Sequence, residues 1–337
     1  MESTLAENTG GSIEPSGSSG RPAASLSKLS SRPRIGDPLF KWLTGSFAVL
    51  VAGLAALIMV EMAINSGLPF ERFGFAFLGR SIWDPVAEEF GALPFIYGTV
   101  VSSLISLVLA VPVSLGVAIF LVEKAPRSLS NPILFVVQLL AAIPSVVFGL
   151  WGVFVLAPGL RDHFYPKLQS AFGFLPLFQG NQNGFGLLTS GLILSIMVLP
   201  IITAVSTDVL RAVPRTQREA ALALGSTKWE ATLIVLQNAK SGISGAIILG
   251  LGRAIGETMA VTMVIGNRPQ ISPSLLDPSY TIASAIANEF TEASAEIYLQ
   301  SLIELGFILF LITFAINMLA RLLVWSVTRG EGRGGNV

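Results

Sequence analysis

The chain alternates long apolar stretches with shorter polar connections. Six of the stretches hold about 20 residues or more, the length that an α-helix needs to cross a hydrocarbon layer of about 30 Å. Because that layer holds no water to satisfy exposed backbone groups, a crossing segment folds as a helix. The pattern predicts an all-α integral membrane protein whose six transmembrane helices lie at about Leu43–Ile64, Phe95–Leu121, Ile133–Ala157, Phe185–Val205, Ile243–Ile265 and Leu302–Val324.

Composition agrees with a membrane protein. Hydrophobic residues make up 52% of the chain and charged residues 12%, whereas a soluble domain carries about 25% charged residues. The mean hydropathy is +0.70. The 21 basic and 21 acidic residues balance, so no positive field for nucleic acid is expected.

Several kinds of chemistry are excluded by residue types that the chain lacks. It has no cysteine, which excludes disulfides, thiolate metal sites and thiol nucleophiles, and its one histidine is His163. No Gly-x4-Gly-Lys-Ser/Thr segment occurs, so the chain has no Walker loop for a nucleotide. We therefore expect no catalytic residue, no metal, no cofactor and no enzymatic activity, and any ATPase that drives the protein is a separate chain.

The basic residues predict the orientation in the membrane. Fifteen Lys and Arg residues lie in the two termini and in the connections 122–131 and 206–240, five lie in the other connections, and Arg253 lies inside the fifth stretch. Since cytoplasmic loops carry the excess of Lys and Arg, both termini and the 206–240 connection are expected in the cytoplasm. Residues 1–38 are rich in Ser, Gly and Pro, and we expect them to form a disordered tail.

The 206–240 connection predicts two short helices around a glycine corner, outside the membrane. Thr216 and Glu219 have capping-box spacing before a short apolar helix, which runs to Leu224 and ends at Gly225, suited to a left-handed stop. Thr227–Glu230 repeats the capping spacing and starts the second helix. The first helix has little reason to face water, so it either packs on the bundle or inserts into a groove of another protein.

The fifth stretch contains two charged residues, Arg253 and Glu257. On a helix they lie about 15 and 21 Å along the span, near its middle, where an unpaired charge costs about 2.5–3.5 kcal/mol. Spaced by four residues, they share a face and can pair. One interpretation is a static ion pair that only fixes packing. The interpretation we favour is a substrate pathway, because the planar guanidinium of arginine suits phosphate or carboxylate oxygens.

Small residues and prolines within the stretches also have two interpretations. Gly252, Gly256 and Ala260 form a stripe at i, i+4 and i+8 that favours close helix packing. Three prolines interrupt apolar stretches, and each either packs within the bundle or bends a helix that lines a pathway. These prolines are Pro112, Pro144 and Pro200.

Three segments carry a family resemblance. Glu219-Ala220-Ala221, followed after three residues by Gly225, resembles the Glu-Ala-Ala signature of permease subunits of ATP-binding-cassette importers. Gly-Leu-Gly-Arg-Ala-Ile-Gly-Glu-Thr-Met-Ala-Val at 250–261 and Ile-Pro-Ser-Val-Val-Phe-Gly-Leu at 143–150 resemble PstC-type phosphate permeases. The resemblance covers about residues 94–325. The family pattern usually continues to Ile-x-Leu-Pro, and here 234–238 reads Ile-Val-Leu-Gln-Asn without the proline.

The resemblance implies the fold, the partners and the roles of particular residues. It implies the six-span, MetI-like fold of type I importers, with Glu219, Ala220, Ala221 and Gly225 in a cytoplasmic coupling helix that docks on an ATPase. It associates Arg253 and Glu257 with transport. The implied partners are a PstA-like second permease in a heterodimer, a dimer of ATPase subunits and an external phosphate-binding protein, in a bacterial inner membrane.

The expected division of the chain has four parts. They are a disordered cytoplasmic tail at 1–38, the first transmembrane helix with an external loop at 39–93, the permease core at 94–325 and a cytoplasmic C-terminal tail at 326–337.

Three alternatives remain at this point: a permease for another oxyanion such as sulfate or molybdate, a secondary anion carrier driven by an ion gradient, and a membrane enzyme. A secondary carrier favours internal repeats and several intramembrane carboxylates, but we find no repeat. Glu61 and Glu304 are expected at the outer ends of spans, where carboxylates are ordinary. The cluster Arg161–His163 is expected to be a solvated turn in an external loop.

Overall fold

The computed structural model describes residues 36–329, and within this range the protein is helical. The described residues contain no strand, and their β-structure is limited to two isolated bridges, Asp84 with Glu89 and Gly266 with Ser279. Most of the predicted N-terminal tail, and the C-terminal residues from 330 onward, lie outside the described residues.

Fourteen α-helices follow one another along the described chain. In order they are α1 Gly36–Ile64, α2 Gly67–Phe73, α3 Ala76–Gly79, α4 Leu93–Ile119, α5 Arg127–Ala142, α6 Ser145–Trp151, α7 Ala157–Gly159, α8 Tyr165–Phe172, α9 Leu187–Ala212, α10 Arg215–Ala223, α11 Lys228–Gly256, α12 Met259–Val264, α13 Ile282–Glu289 and α14 Glu296–Arg329. Wider π-helical turns extend α4 and join α6 to α8, at Phe120–Lys124, Gly152–Leu156 and Leu160–Phe164.

Six helical segments in the described range are long and apolar enough to cross a membrane, which confirms the predicted number. They are Pro38–Ile64, Leu93–Lys124, Ser145–Phe172, Leu187–Ala212, Lys228–Gly256 and Glu296–Trp325. The chain separates into two units after Ala55. The first unit contains the beginning of α1, and the second contains everything from Ala56 onward, including all the candidate site residues.

Helix α9 is the centre of the second unit, with 61% of its most apolar window buried. It packs against α4 and α11, and Val198 and Ile202 on α9 lie in one core cluster with Ala110 and Ala254. A Cβ added to Gly250 would come within 2.8 Å of Ile202 and Val198, so α11 approaches α9 closely at this glycine.

The third predicted span, Ile133–Ala157, is wrong, because the helix is interrupted at Pro144. Helix α5 ends at Ala142, and a new helical run of 28 residues begins at Ser145 and continues to Phe172. Proline has no N–H to continue a helix and forces the preceding residue out of helical geometry, and Ile143 has an extended backbone with ψ 129°. The other two prolines, Pro112 and Pro200, lie inside continuous helices.

Two carboxylates have surroundings different from those predicted. Glu304 is 7% exposed, and it lines a mainly apolar cavity of about 340 Å³ that α2 and α14 border. Its Oε2 has no hydrogen-bond partner in the part of the chain that the structure describes. Asp162 pairs with Arg161 at 2.7 Å on an exposed surface, but this pair lies on the helical run from Ser145 to Phe172, so the expected turn within a loop is wrong.

Candidate functional site

The end of α11 lies inside an apolar stretch. The predicted span Ile243–Ile265 is not one helix, because α11 ends at Gly256 and Glu257 has an extended backbone with φ −72° and ψ 126°. No proline causes this break. Glycines weaken a helix through their backbone entropy, and the last turns of α11 contain three of them. The Thr258 hydroxyl donates to the carbonyl oxygen of Gly256 at 3.3 Å, which satisfies one group that the break leaves free.

After the break, α12 is held against α6. A Cβ on Gly149 would lie 2.4 Å from the Met263 sulfur and 3.2 Å from the Ala260 Cα, so the two backbones meet closely. At the other end of α12, the Gly186 N–H donates to the Val264 carbonyl at 3.1 Å. The structure thus brings into contact the two segments, 143–150 and 250–261, whose sequences resemble PstC-type permeases.

Arg253 and Glu257 form the predicted pair, but the pair is loose. Arg253 Nη2 lies 3.9 Å from Glu257 Oε2, which is too long for a hydrogen bond. The Arg253 side chain is 39% exposed, whereas the Glu257 side chain is 9% exposed. Among the described residues no hydrogen bond is made by the Arg253 side chain. Its five N–H donors therefore remain available to a ligand.

The predicted small-residue stripe divides between two surroundings. Ala260 is fully buried and lies close to Gly149, as a packing interpretation requires. A Cβ on Gly252 or Gly256, in contrast, would meet no atom within 4 Å. The glycine positions beside Arg253 consequently border open space.

The glycine corner predicted in the 206–240 connection is present at Gly225. Its φ is +86°, a left-handed conformation that glycine adopts without strain. The Ser226 N–H donates to the Ala221 carbonyl at 3.2 Å and the Gly225 N–H to the Leu222 carbonyl at 3.0 Å. These two bonds form a Schellman motif, which closes the C-terminus of α10.

The two predicted capping boxes have different outcomes. Helix α10 begins at Arg215 after Pro214 and has no side-chain cap, so the capping box predicted at Thr216 is wrong. Pro214 occupies the N-cap position, so the helix begins two residues before the start that a cap at Thr216 predicts. The box at Thr227 and Glu230 is confirmed, with the Glu230 N–H donating to Thr227 Oγ1 at 3.3 Å and the Thr227 N–H donating to Glu230 Oε2 at 2.7 Å.

The helix after Thr227 is long, and the expected short helix there is wrong. Helix α11 runs for 29 residues from Lys228 to Gly256. It passes through Leu236 and Gln237 without interruption. The family resemblance usually includes a proline near this point, and the chain has none there.

The residues of the Glu-Ala-Ala segment differ in solvent exposure. Glu219 and Ala220 are exposed, but Ala221 is only 5% exposed and contacts its own chain. The largest apolar side chains at the corner are the exposed ones, with Leu224 88% and Trp229 61% exposed. Sequence reasoning did not single out these two residues. The available signal was their apolar character in a segment predicted to lie outside the membrane.

Comparisons with known proteins agree with the resemblance. The profile of the family described as binding-protein-dependent transport system inner membrane component matches residues 110–329. The phosphate transport system permease protein PstC of Pasteurella multocida is 47% identical over 300 residues, covering 88% of this chain and 93% of that protein. The protein of the same name from Mesorhizobium japonicum is 46% identical over 301 residues, covering 88% and 92%.

A solved structure has a similar fold. In the inward-facing MetNI methionine ABC transporter, one chain aligns with a TM-score of 0.51 and 15% identity, covering 69% of this chain and 94% of that chain. At this identity the likeness concerns the fold alone, and it agrees with the predicted MetI-like arrangement of six spans.

Proposed function

The chain belongs to the family of binding-protein-dependent transport system inner membrane components, as a PstC-type phosphate permease, and we propose that Arg253 and Glu257 line its half of the phosphate pathway. The protein is a multi-pass membrane permease of an ATP-binding-cassette importer. It is the permease component rather than an enzyme. What remains to be assigned is which residues meet phosphate and which transmit the work of ATP hydrolysis.

The observation that carries the pathway proposal is the loose pair at the α11 break. An anion in an apolar region needs a compensating charge, because burying an unpaired charge is costly. Arg253 supplies a fixed positive charge whose donors match phosphate oxygens. Because Glu257 is 3.9 Å away and largely buried, it balances the guanidinium between transport events without saturating its donors.

We further propose that α10 is the coupling helix and faces the cytoplasm. Exposed apolar side chains at Leu222 and Leu224 suit the groove of an ATPase subunit. The Schellman motif at Gly225 connects α10 directly to α11. A displacement of α10 is therefore transmitted to α11, the helix that carries Arg253. The excess of basic residues on this side supports the orientation, with both termini in the cytoplasm.

The open space beside Gly252 and Gly256 is the basis for proposing a second permease. A PstA-like subunit packed there would complete a heterodimer with the phosphate pathway between the two subunits. The full importer would also contain a pair of ATPase subunits and an external phosphate-binding protein.

The proposal predicts that Arg253→Ala abolishes uptake of radiolabelled phosphate while the subunits still co-purify. Arg253→Lys keeps the charge but loses the planar fork, and we expect partial uptake from it. Normal uptake by Arg253→Ala would reject the pathway role.

Arg161→Ala provides the matched control. Arg161 also pairs with a carboxylate, Asp162, but at 2.7 Å and with both side chains about half exposed. Surface ion pairs of this kind contribute little to stability. We therefore expect Arg161→Ala to transport phosphate at the rate of the unmodified protein.

A further inference from the structure

A polar cavity lies at the end of the bundle that carries α10. Its volume is about 370 Å³, and four segments meet around it: the turn after α4, the start of α5, the end of α9 and the start of α10. Its lining includes three arginines and two uncharged polar residues, Arg211, Arg215, Arg218, Ser130 and Asn131. The cavity is separate in sequence from the α11 break that forms the proposed pathway.

The charges around this cavity do not balance. Arg218 pairs with the largely buried Glu123 at 2.5 Å, and Arg211 Nη2 donates to Ser130 Oγ at 2.9 Å. Arg215 has neither an ion pair nor a hydrogen bond with any described residue. Three arginines thus line the cavity, and Arg218 is the one of them that makes an ion pair with a described carboxylate. Lys124, exposed on the turn after α4, adds further positive potential nearby.

Unused hydrogen-bond donors accompany the positive charge. The Nε of Arg218 is buried and has no hydrogen-bond partner among the described residues. Arg215 makes no hydrogen bond with a described residue and Arg211 binds only Ser130, so a ligand that accepts from several N–H groups at once suits this cavity. Such an acceptor is an oxyanion with several oxygens.

We propose that this cavity binds a phosphate group, carried either by free inorganic phosphate or by the headgroup of an anionic phospholipid. Guanidinium forks match phosphate oxygens in both charge and geometry. Basic pockets between transmembrane helices on the cytoplasmic side are known to hold lipid headgroups, and Leu121, Val122 and Val213 give this cavity an apolar margin. A bound phosphate group joins α5 and α9 to α10.

Direct binding tests the proposal and distinguishes the two sources. The full-length chain, purified with the subunits that remain bound to it, is studied in an Arg253→Ala background so that the proposed pathway residue does not contribute. In nanodiscs of neutral lipid, binding of radiolabelled inorganic phosphate is measured by equilibrium dialysis. For the lipid, the protein is placed in nanodiscs that contain phosphatidylglycerol and is then extracted with detergent. Native mass spectrometry measures how much phosphatidylglycerol the protein retains.

The arginines are replaced in two steps. Arg215→Gln removes a side chain without partners and is not expected to disturb folding, and Arg211→Gln/Arg215→Gln removes two donors. Since the loss of each charge-assisted hydrogen bond weakens binding by about tenfold or more, the double variant should bind at least roughly a hundredfold more weakly. Lys124→Gln removes a nearby charge that does not line the cavity, and it should change affinity by less than about threefold.

The outcomes are separable. Loss of inorganic phosphate in the double variant supports the site with the free anion as ligand, and loss of phosphatidylglycerol supports it with the lipid as ligand. The proposal is overturned if the parent binds neither, or if the double variant binds both as well as Lys124→Gln does. None of these outcomes depends on whether Arg253 acts in transport.

Discussion

The two ends of α11 differ in how they are fixed. At Thr227 the helix begins beside a polar connection, and a reciprocal capping box satisfies its first N–H groups. At Gly256 the helix ends within an apolar stretch, without a proline, and its continuation is held in place by the close approach of α12 to α6. The first end is stabilised by adjacent residues, and the second depends on residues about a hundred positions away.

The two ends of α11 therefore suit two different functions. An end defined by local hydrogen bonds is rigid and suits the receipt of force from a docked subunit. Non-helical backbone at membrane depth is tolerated only where it is buried in protein or lines an aqueous cavity. The loose Arg253–Glu257 pair at 3.9 Å and the open space beside Gly256 fit an aqueous cavity at the second end.

The largest effect on this comparison is expected from Leu224→Asp, beside the Thr227 end of α11. Leu224 is 88% exposed, so the substitution should leave the fold intact. In the proposed ATPase groove it would place a charge where an apolar side chain is buried, at a cost of several kcal/mol. We expect the ATPase subunit to be lost during co-purification and phosphate uptake to fall to background.

Lys228→Gln is the control for this variant, because it changes an exposed charge on the same surface without adding one to the apolar corner. Its co-purification with the ATPase should match that of the parent. If Leu224→Asp retains the ATPase equally well, α10 is not the docking segment.

A smaller effect is expected from Gly149→Ala, at the membrane end. The added methyl group would press on the Ala260 Cα, 3.2 Å away, and on the Met263 sulfur. Overpacking of this kind costs about 1–3 kcal/mol, and here it also displaces α12 from the break. We expect a lower apparent melting temperature in detergent and reduced uptake.

Gly159→Ala lies on the same helical run and tests whether alanine itself is responsible. A Cβ at Gly159 meets nothing within 4 Å, and alanine favours a helix over glycine by about 0.5–1 kcal/mol. This control should be as stable as the parent or slightly more stable. Equal behaviour of the two variants would mean that the contact between α6 and α12 does not hold the break.

What could be predicted from the sequence also differs between features fixed by adjacent residues and features fixed by distant contacts. Six spans, the Gly225 stop and the Thr227 capping box were predictable, because apolar length and local hydrogen-bonding residues specify them. The break at Glu257 was not, because it depends on α6 packing against α12 through Gly149, a contact distant in sequence. The burial of Glu304 was missed for the same reason, since α2 supplies part of its cavity.

The smallest effect is expected from replacing the threonine in each of the two capping sequences on either side of Gly225. Thr227→Ala removes the hydroxyl that accepts the Glu230 N–H at 3.3 Å, and loss of an N-cap costs about 1 kcal/mol. Thr216→Ala makes the same chemical change at a threonine with the same spacing to a glutamate, but no cap forms there. We expect the apparent melting temperature in detergent to fall for Thr227→Ala and to stay unchanged for Thr216→Ala. Equal values would show that the start of α11 is held by packing, as its other end is, and the contrast between the two ends would be lost.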